Sequence, residues 1–218
     1  MIKIVIFDMD GVLFDTILFA RREFLKLHPG MTAEEYNEIH AGNFHHKAAK
    51  YSHLKINQTE EEKLKQLIEY AEQKSRSELF PEIKELLDSL RNADTPIVLN
   101  TNAFERNCLP LLENAKIKDY FDFIASAEIS KDKIEKFKLI EERYGISNDQ
   151  MVFITDALGD VRDADQADVQ TIAVTWGVHD KAFFNRETHN NVIAIVDTVS
   201  ELHNILFNLI GPGNRTNI

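Results

Sequence analysis

The stretch from Ile2 to Thr16, IKIVIFDMDGVLFDT, decides how this chain is organised. It opens with an apolar, β-branched run that is typical of a strand buried in a parallel sheet. Asp8 and Asp10 end this strand, and because side chains alternate along a strand they project to the same side. A buried carboxylate must be paired or must bind a metal. Since ligands sit at the carboxyl ends of strands in open α/β sheets, we expect chemistry at this pair.

The overall composition is that of a globular domain. The chain has 218 residues, of which 44% are hydrophobic and 28% are charged, an ordinary mix for a soluble protein. Its formal net charge of -11 argues against nucleic acid and against anionic membrane lipid as partners. A small phosphorylated ligand remains compatible, because one metal ion or one lysine can reverse the field inside a pocket.

Cysteine usage and hydropathy bear on location. Cys108 is the only cysteine, so no disulfide can form within the chain, which is typical of a reducing compartment. No apolar stretch is long enough to span a bilayer, and the first strand leaves no room for a signal peptide. We therefore expect a cytoplasmic location. Nothing in these patterns indicates the oligomeric state.

Two kinds of periodicity divide the chain. Residues 16–79 carry helical spacing and two capping-box signatures, at Thr32–Glu35 and Thr59–Glu62. From Phe80 onward strands alternate with helices. The further strands are predicted over 96–101, 121–126, 151–155, 171–175 and 192–196. This alternation predicts an α/β, Rossmann-like parallel sheet with helices on both faces and an inserted helical block. The segment 211–218 is predicted to be a loose tail.

Polar residues follow the second strand. Thr101 and Asn102 stand at its end, where a hydroxyl, an amide and nearby backbone N–H groups suit a phosphoryl oxygen. The same residues are also typical of a helix N-cap, and the pattern alone does not separate the two readings.

Further charged residues follow the third and fourth strands. Lys131 and Lys133 precede the helix after the third strand, and Asp156 and Asp160 follow the fourth. Carboxylates are the hard oxygen ligands that Mg²⁺ uses, one or two at a time. A lysine is a compact cation that can neutralise a carboxylate and a phosphate together.

Taken in order, these four motifs resemble those of the haloacid dehalogenase-like hydrolase superfamily, in its phosphoglycolate-phosphatase-like and β-phosphoglucomutase-like branch. The first motif reads Asp8-Met-Asp10-Gly-Val-Leu-Phe-Asp-Thr, and the fourth carries Asp156 and Asp160 at the family's spacing. The helical block resembles a cap inserted between the first and second motifs. The resemblance implies a core domain of residues 1–15 and 80–210 and a helical cap domain of residues 16–79.

The resemblance also implies roles for individual residues. Asp8 would be the nucleophile and Asp10 the general acid and base. Phosphate would be bound by Thr101, Asn102 and Lys131, and Mg²⁺ by Asp8, Asp10 through its carbonyl oxygen, Asp156 and Asp160. Lys131 is chosen because the family's aromatic residue and glycine, counted from the lysine, then fall on Phe137 and Gly145. Both family prolines are absent beside it, and Lys133 is the alternative.

We therefore expect a Mg²⁺-dependent phosphatase that acts on a small phosphorylated metabolite. A phosphomutase of the β-phosphoglucomutase type would use the same acids, and a non-catalytic binding protein on this scaffold is a second alternative. His179, after the fifth strand, is a candidate substrate contact. His40, His45, His46 and His53 cluster in the helical block without carboxylates at a metal-binding spacing. No pattern names the substrate.

Overall fold

One parallel sheet forms the centre of the protein. The computed structural model describes residues 1–211, so that the predicted tail lies outside the described residues from position 212. The strands are β1 (Ile4–Phe7), β2 (Ile97–Asn100), β3 (Phe123–Ala125), β4 (Met151–Thr155), β5 (Gln170–Val174) and β6 (Val192–Val196). They pair in parallel in the order β3-β2-β1-β4-β5-β6. The predicted α/β fold is confirmed, with each predicted strand present.

Helices cover both faces of this sheet. Four lie between β1 and residue 80 in the chain: α1 (Ile17–Leu27), α2 (Ala33–Ile39), α3 (Phe44–Ala49) and α4 (Glu60–Lys74). The others are α5 (Ile83–Asn92), α6 (Glu105–Asn114), α7 (Lys133–Tyr144), α8 (Leu158–Gln166), α9 (Lys181–Phe184) and α10 (Val199–Ile210). Short 3₁₀ turns occur at Ser52–Leu54, Lys118–Tyr120 and Asn148–Gln150. No helix within residues 1–211 is both long enough and apolar enough to cross a membrane.

The apolar run of β1 is explained by burial on both sides. Val5 and Phe7 belong to the large core cluster that includes residues of α5, α6 and α10. Ile4 and Ile6 belong to a second cluster, formed with residues of α7 and α8. A strand packed between two helical layers has no polar face, and an alternating pattern is therefore absent.

The register of the central strands determines where the polar ends meet. Phe7, the last residue of β1, lies between Leu99 of β2 and Ile154 of β4. The residues that follow these three strands therefore emerge side by side at one edge of the sheet. This edge is where the first, second and fourth sequence motifs converge.

Residues 17–74, here called the helical insert, are held against the core by backbone contacts of the α2–α3 loop. The N–H of Gly159, in the first turn of α8, donates to the carbonyl of His40 at 2.9 Å. Arg162, one turn further along α8, donates to the carbonyl of Ala41. A Cβ atom on Gly159 would lie 2.6 Å from the carbonyl oxygen of Gly42. Glycine at position 159 is therefore needed for this close approach of the helical insert to α8.

We expect Gly159→Ala to lower the free energy of unfolding by about 1–3 kcal/mol, in spite of the better helix propensity of alanine. The added methyl would meet backbone atoms of Gly42, which cannot rotate away. Denaturant unfolding followed by circular dichroism measures the change. Gly42→Ala is the matched control, because its Cβ would meet only the flexible side chain of Lys47, 2.8 Å from Cε. Equal losses in the two variants would contradict the proposed contact.

Candidate functional site

The polar ends of β1, β2 and β4 open into one cavity of about 390 Å³. Its sides are formed by the sheet edge on one side and by the helical insert on the other. Of the predicted site residues, those that line it are Asp8, Asp10, Thr101, Asn102, Asp156 and Asp160. Lys131 does not line it, and Lys133 does. The structure thus brings together every predicted site residue except one.

The lysine of the site is Lys133, which corrects the choice of Lys131. The Lys133 ammonium lies 3.0 Å from Oδ1 of Asp8 and donates to Oδ2 of Asp160 at 2.7 Å. Lys131 is exposed, with its Nζ 5.6 Å from the ring centroid of Phe104. The reason lies in the helix start: Asp132 is the N-cap of α7 and accepts from the N–H of Ile134 at 2.8 Å. Lys133 is therefore the first helical residue, whereas Lys131 stays in the loop before it.

Burial controls the charge state of Asp8. Burial raises the pKa of the Asp8 carboxyl to about 6, although the neighbouring Lys133 charge opposes the rise. Burial would lower the pKa of Lys133, but the charges of Asp160 and Asp8 outweigh it, and the pKa of its ammonium stands above the ordinary value. Lys133 thus remains a cation, placed between two carboxylates.

Asp156 is enclosed by backbone. Its Oδ2 accepts a hydrogen bond from the N–H of Val178 at 2.7 Å. A Cβ on Gly11 would lie 2.0 Å from that oxygen and one on Gly177 2.1 Å from it, so two glycines allow the chain to wrap around the carboxylate. Burial, and then the charge of Asp8, raise the pKa of Asp156 well above its usual value.

The donor chemistry around Asp8 and Asp156 fits a small divalent cation. Besides burial, the charge of Asp8 raises the pKa of Asp156, and the charge of Asp160 raises that of Asp8; a bound cation relieves this repulsion between carboxylates. No ready-made group of three or more His, Cys, Asp or Glu ligands exists within residues 1–211. Mg²⁺ does not require one, because it keeps several waters and uses one or two carboxylates.

Asp160 makes its contacts within the protein. Its Oδ2 accepts from Lys133 at 2.7 Å and from the Thr155 hydroxyl at 2.8 Å. These bonds hold the lysine in place between the two acids. The metal-binding role predicted for Asp160 stays a prediction.

Asp10 is held from both sides. The hydroxyl of Thr16 donates to its Oδ1 at 2.7 Å, and the ammonium of Lys74 donates to its Oδ2 at 2.7 Å. Lys74 is buried and is the last residue of α4, so a group of the helical insert contacts the first motif directly. The sequence reading missed Lys74, because it ends a strongly charged helix and no local pattern sets it apart.

A second buried lysine, also missed, holds the end of β2. Lys136 donates to the carbonyl of Thr101 at 2.8 Å and to Oδ1 of Asn102 at 2.7 Å. Burial lowers its pKa to about 7. The Thr101 Oγ1 accepts from the N–H of Ala103 at 3.1 Å. The Thr101 hydroxyl proton and the Asn102 amide N–H groups then remain as donors for a ligand. Neither residue is the N-cap of α6, because that position is occupied by Phe104, which makes no side-chain cap bond.

His179 connects the core to the helical insert and does not line the cavity. Its Nδ1 accepts from the N–H of Leu158 at 2.9 Å, which places the ring proton on Nε2, 2.9 Å from the carbonyl of Asn37. Burial lowers the pKa of the imidazole to about 4. A second ring proton would break the bond to Leu158, so the neutral form is part of this connection.

Comparison with known proteins identifies the family. The profile of the haloacid dehalogenase-like hydrolases matches residues 5–174, and the chain therefore belongs to that family. It is 30% identical over 102 residues to the phosphoglycolate phosphatase of Escherichia coli K12, an alignment that covers 45% of this chain and 40% of that protein. The chain spans less than half the length of the curated relatives it matches.

Solved structures agree on the fold. A predicted phosphatase from Clostridium acetobutylicum superposes with a TM-score of 0.74 at 22% identity, covering 94% of this chain and 98% of the other. A putative β-phosphoglucomutase from Thermotoga maritima superposes with a TM-score of 0.70 at 22% identity, covering 94% and 98%. At these identities the likeness concerns the fold alone.

We expect the connection through His179 to weaken in acid. The pKa of His179 falls from an ordinary value of 6.5 to about 4 on folding. Below pH 6.5, His179 is therefore protonated in the unfolded chain but remains neutral in the folded chain. The free energy of unfolding decreases for this reason as the pH falls towards 4. The loss amounts to about 3 kcal/mol for this group.

His179→Gln keeps an acceptor and a donor but does not titrate. The difference in unfolding free energy between the native chain and this variant should therefore shrink as the pH is lowered from 6.5 to 4. Urea unfolding at a series of pH values measures it. A difference that stays constant over this range would show that His179 takes up its proton equally in both states.

Proposed function

We propose that this protein is a Mg²⁺-dependent phosphatase that hydrolyses a small phosphorylated metabolite through an aspartyl-phosphate intermediate. The observation that carries the proposal is Lys133, a buried cation in contact with Asp8 and Asp160 at the edge of the sheet where Asp156 also lies. Membership of a hydrolase family and the likeness to a phosphoglycolate phosphatase support it. The single, buried and unpaired Cys108 supports a cytoplasmic location.

In this proposal Asp8 attacks the phosphorus atom and displaces the alcohol, forming a covalent phosphoryl bond. Lys133 holds one carboxylate oxygen of Asp8 and supplies positive charge beside the incoming phosphate. The Thr101 hydroxyl and the Asn102 amide donate to phosphoryl oxygens. Lys136 holds the backbone of Thr101 and the amide oxygen of Asn102, so that these donors are already oriented.

Asp10 is proposed as the acid and base of the two half-reactions. It would protonate the departing alcohol oxygen and then take a proton from the water that attacks the aspartyl-phosphate. Thr16 and Lys74 fix its carboxylate. Because Lys74 belongs to the helical insert, the position of Asp10 depends on the insert as well as on the core.

The carboxylates of Asp8 and Asp156, together with the carbonyl oxygen of Asp10, would hold Mg²⁺. When bound, the ion supplies charge neutralisation between an anionic nucleophile and an anionic phosphate. Asp160 acts in this scheme mainly by holding Lys133.

We further propose the domain division expected above, with a core of residues 1–15 and 80–210 and a cap of residues 16–79. Support comes from the cavity, which the helical insert closes on the side opposite the acids. Such a cap would exclude water from the reacting groups and contact the part of the substrate that leaves.

We expect the protein to release inorganic phosphate from phosphorylated metabolites in the presence of Mg²⁺, and a chelator to stop the release. Asp8→Asn should lower kcat by about 10³-fold or more, because the nucleophile is removed. The assay follows free phosphate and isomerised substrate together. Isomer without free phosphate would indicate a phosphomutase, and unchanged turnover in the variant would indicate that Asp8 is not the nucleophile.

We expect Lys133→Met to lower kcat/KM by at least about 100-fold, because charge stabilisation beside the nucleophile is lost. Lys131→Met, two residues away, should stay within about threefold. Circular dichroism must accompany the assay, since unpaired buried carboxylates destabilise a fold. Lys133→Arg, which keeps the charge, provides a second variant if the methionine variant unfolds. A larger loss of kcat/KM in Lys131→Met than in Lys133→Met would indicate that Lys131 is the active-site lysine.

A further inference from the structure

We infer, on the basis of the proposed phosphatase function, that the alcohol part of the substrate is an aromatic or heteroaromatic ring. The observation is a set of rings on the helical insert that faces the acids across the cavity. This set, here called the aromatic wall, consists of Phe24, Tyr36, His40, Phe44 and His45, all of which line the cavity.

The rings of the aromatic wall contact one another. Ring centroids lie 5.5 Å apart for Phe24 and Tyr36, 5.8 Å for Phe24 and Phe44, and 5.0 Å for His40 and Phe44. These spacings and their tilted or edge-on angles are those that aromatic pairs prefer. The wall is therefore a preformed surface on which another ring can pack with the same geometry.

The wall is also fixed relative to the acids. The carbonyl of His40 accepts from Gly159, and Arg162 donates to the carbonyl of Ala41. Asn43 donates to the carbonyl of Lys131 at 3.3 Å. A wall held to the core in this way can select a leaving group by shape, since its position relative to Asp8 is set before the ligand arrives.

Two polar side chains on this side of the cavity already have partners within the helical insert. Glu23 accepts from Arg22 at 3.0 Å and from Lys26 at 2.8 Å. Gln66 accepts from Gln58 at 3.1 Å. A sugar packed against the ring surfaces of the aromatic wall would direct hydroxyls towards ring carbon atoms, and each unpaired buried hydroxyl costs about 1–3 kcal/mol.

Two imidazole nitrogens remain without partners on the wall. The Nε2 atoms of His40 and His45 are buried and have no hydrogen-bond partner within residues 1–211. Because neither nitrogen is exposed to the cavity, a ligand meets ring carbon atoms at these two side chains.

Of the three Lys and Arg side chains that line the cavity in the described part of the chain, two are paired with carboxylates and the third stacks on a ring. Lys74 is bound to Asp10 and Lys133 to Asp8 and Asp160. Arg106 is exposed on α6, with its guanidinium 4.5 Å from the ring centroid of Phe104. At about 390 Å³ the cavity is near the lower end of small-molecule pockets, which suits one phosphate and one ring system.

The test compares phosphate esters of primary alcohols, whose leaving groups are chemically alike. The probes are benzyl phosphate, cyclohexylmethyl phosphate, glucose 6-phosphate and phosphoglycolate, assayed with Mg²⁺. We expect kcat/KM for benzyl phosphate to exceed that for cyclohexylmethyl phosphate by about 3- to 10-fold, because this is the gain in binding that one aromatic–aromatic contact provides. It should exceed the values for glucose 6-phosphate and phosphoglycolate by at least about tenfold.

Two variants separate the wall from general effects on the fold. Phe44→Leu should lower kcat/KM for benzyl phosphate about fivefold, by loss of ring contacts, while glucose 6-phosphate changes less than about twofold. Phe207→Leu is the matched control: Phe207 stacks on His203 at 4.5 Å, as Phe44 packs on His40, but it lies on α10 away from the cavity. Its kinetics should equal those of the native chain.

The outcomes distinguish this inference from the proposed function. Phosphate release that favours glucose 6-phosphate or phosphoglycolate, or an equal loss for all probes in Phe44→Leu, would overturn the aromatic substrate and leave the phosphatase in place. No release from any probe would overturn the phosphatase. In that case calorimetry still tests the wall: benzylphosphonate should bind at least about tenfold more tightly than methylphosphonate, and equal affinities would refute it.

Discussion

The buried ammonium of Lys133, in contact with Asp8 and Asp160, is the interaction on which the rest of the site depends. Taking charges out of water is costly, and a buried carboxylate persists only with a partner of opposite charge. One lysine shared by two acids leaves excess negative charge, and Asp156 beside Asp8 increases it. An excess of this kind is stabilised by a bound cation, and it explains why we propose Mg²⁺ at this edge of the sheet.

The same constraint explains how the surrounding chain is built. Gly11 and Gly177 are glycines because the carboxylate of Asp156 occupies the space where their side chains would be. Thr155 contributes its hydroxyl to Asp160, so that the strand end itself helps to orient the lysine. Main-chain groups and short side chains at strand ends thus form one part of the site, and lysines from helices form the other.

The helical insert takes part in the site and does not merely cover it. Lys74, the last residue of the insert, contacts Asp10, while the α2–α3 loop contacts α8 and Asn37 of α2 contacts His179. The aromatic wall also belongs to the insert and lines the same cavity. The insert therefore positions one proposed catalytic carboxylate and provides the surface that we infer to contact the leaving group.

The sequence by itself determined the sheet and the place of the acids. Apolar runs of strand length, each followed by polar residues, indicated β1, β2 and β4, and parallel pairing brings their ends to one edge whatever the side chains elsewhere do. Only the tertiary structure decided which lysines take part. The spacing from Phe137 and Gly145 indicated Lys131. However, Asp132 is the N-cap residue of α7, so that Lys133 is the first residue of the helix and its side chain is buried. The roles of Lys74 and of the aromatic wall could not be predicted from the sequence either. They depend on contacts with residues distant in the chain, and local spacing carries no information about such contacts.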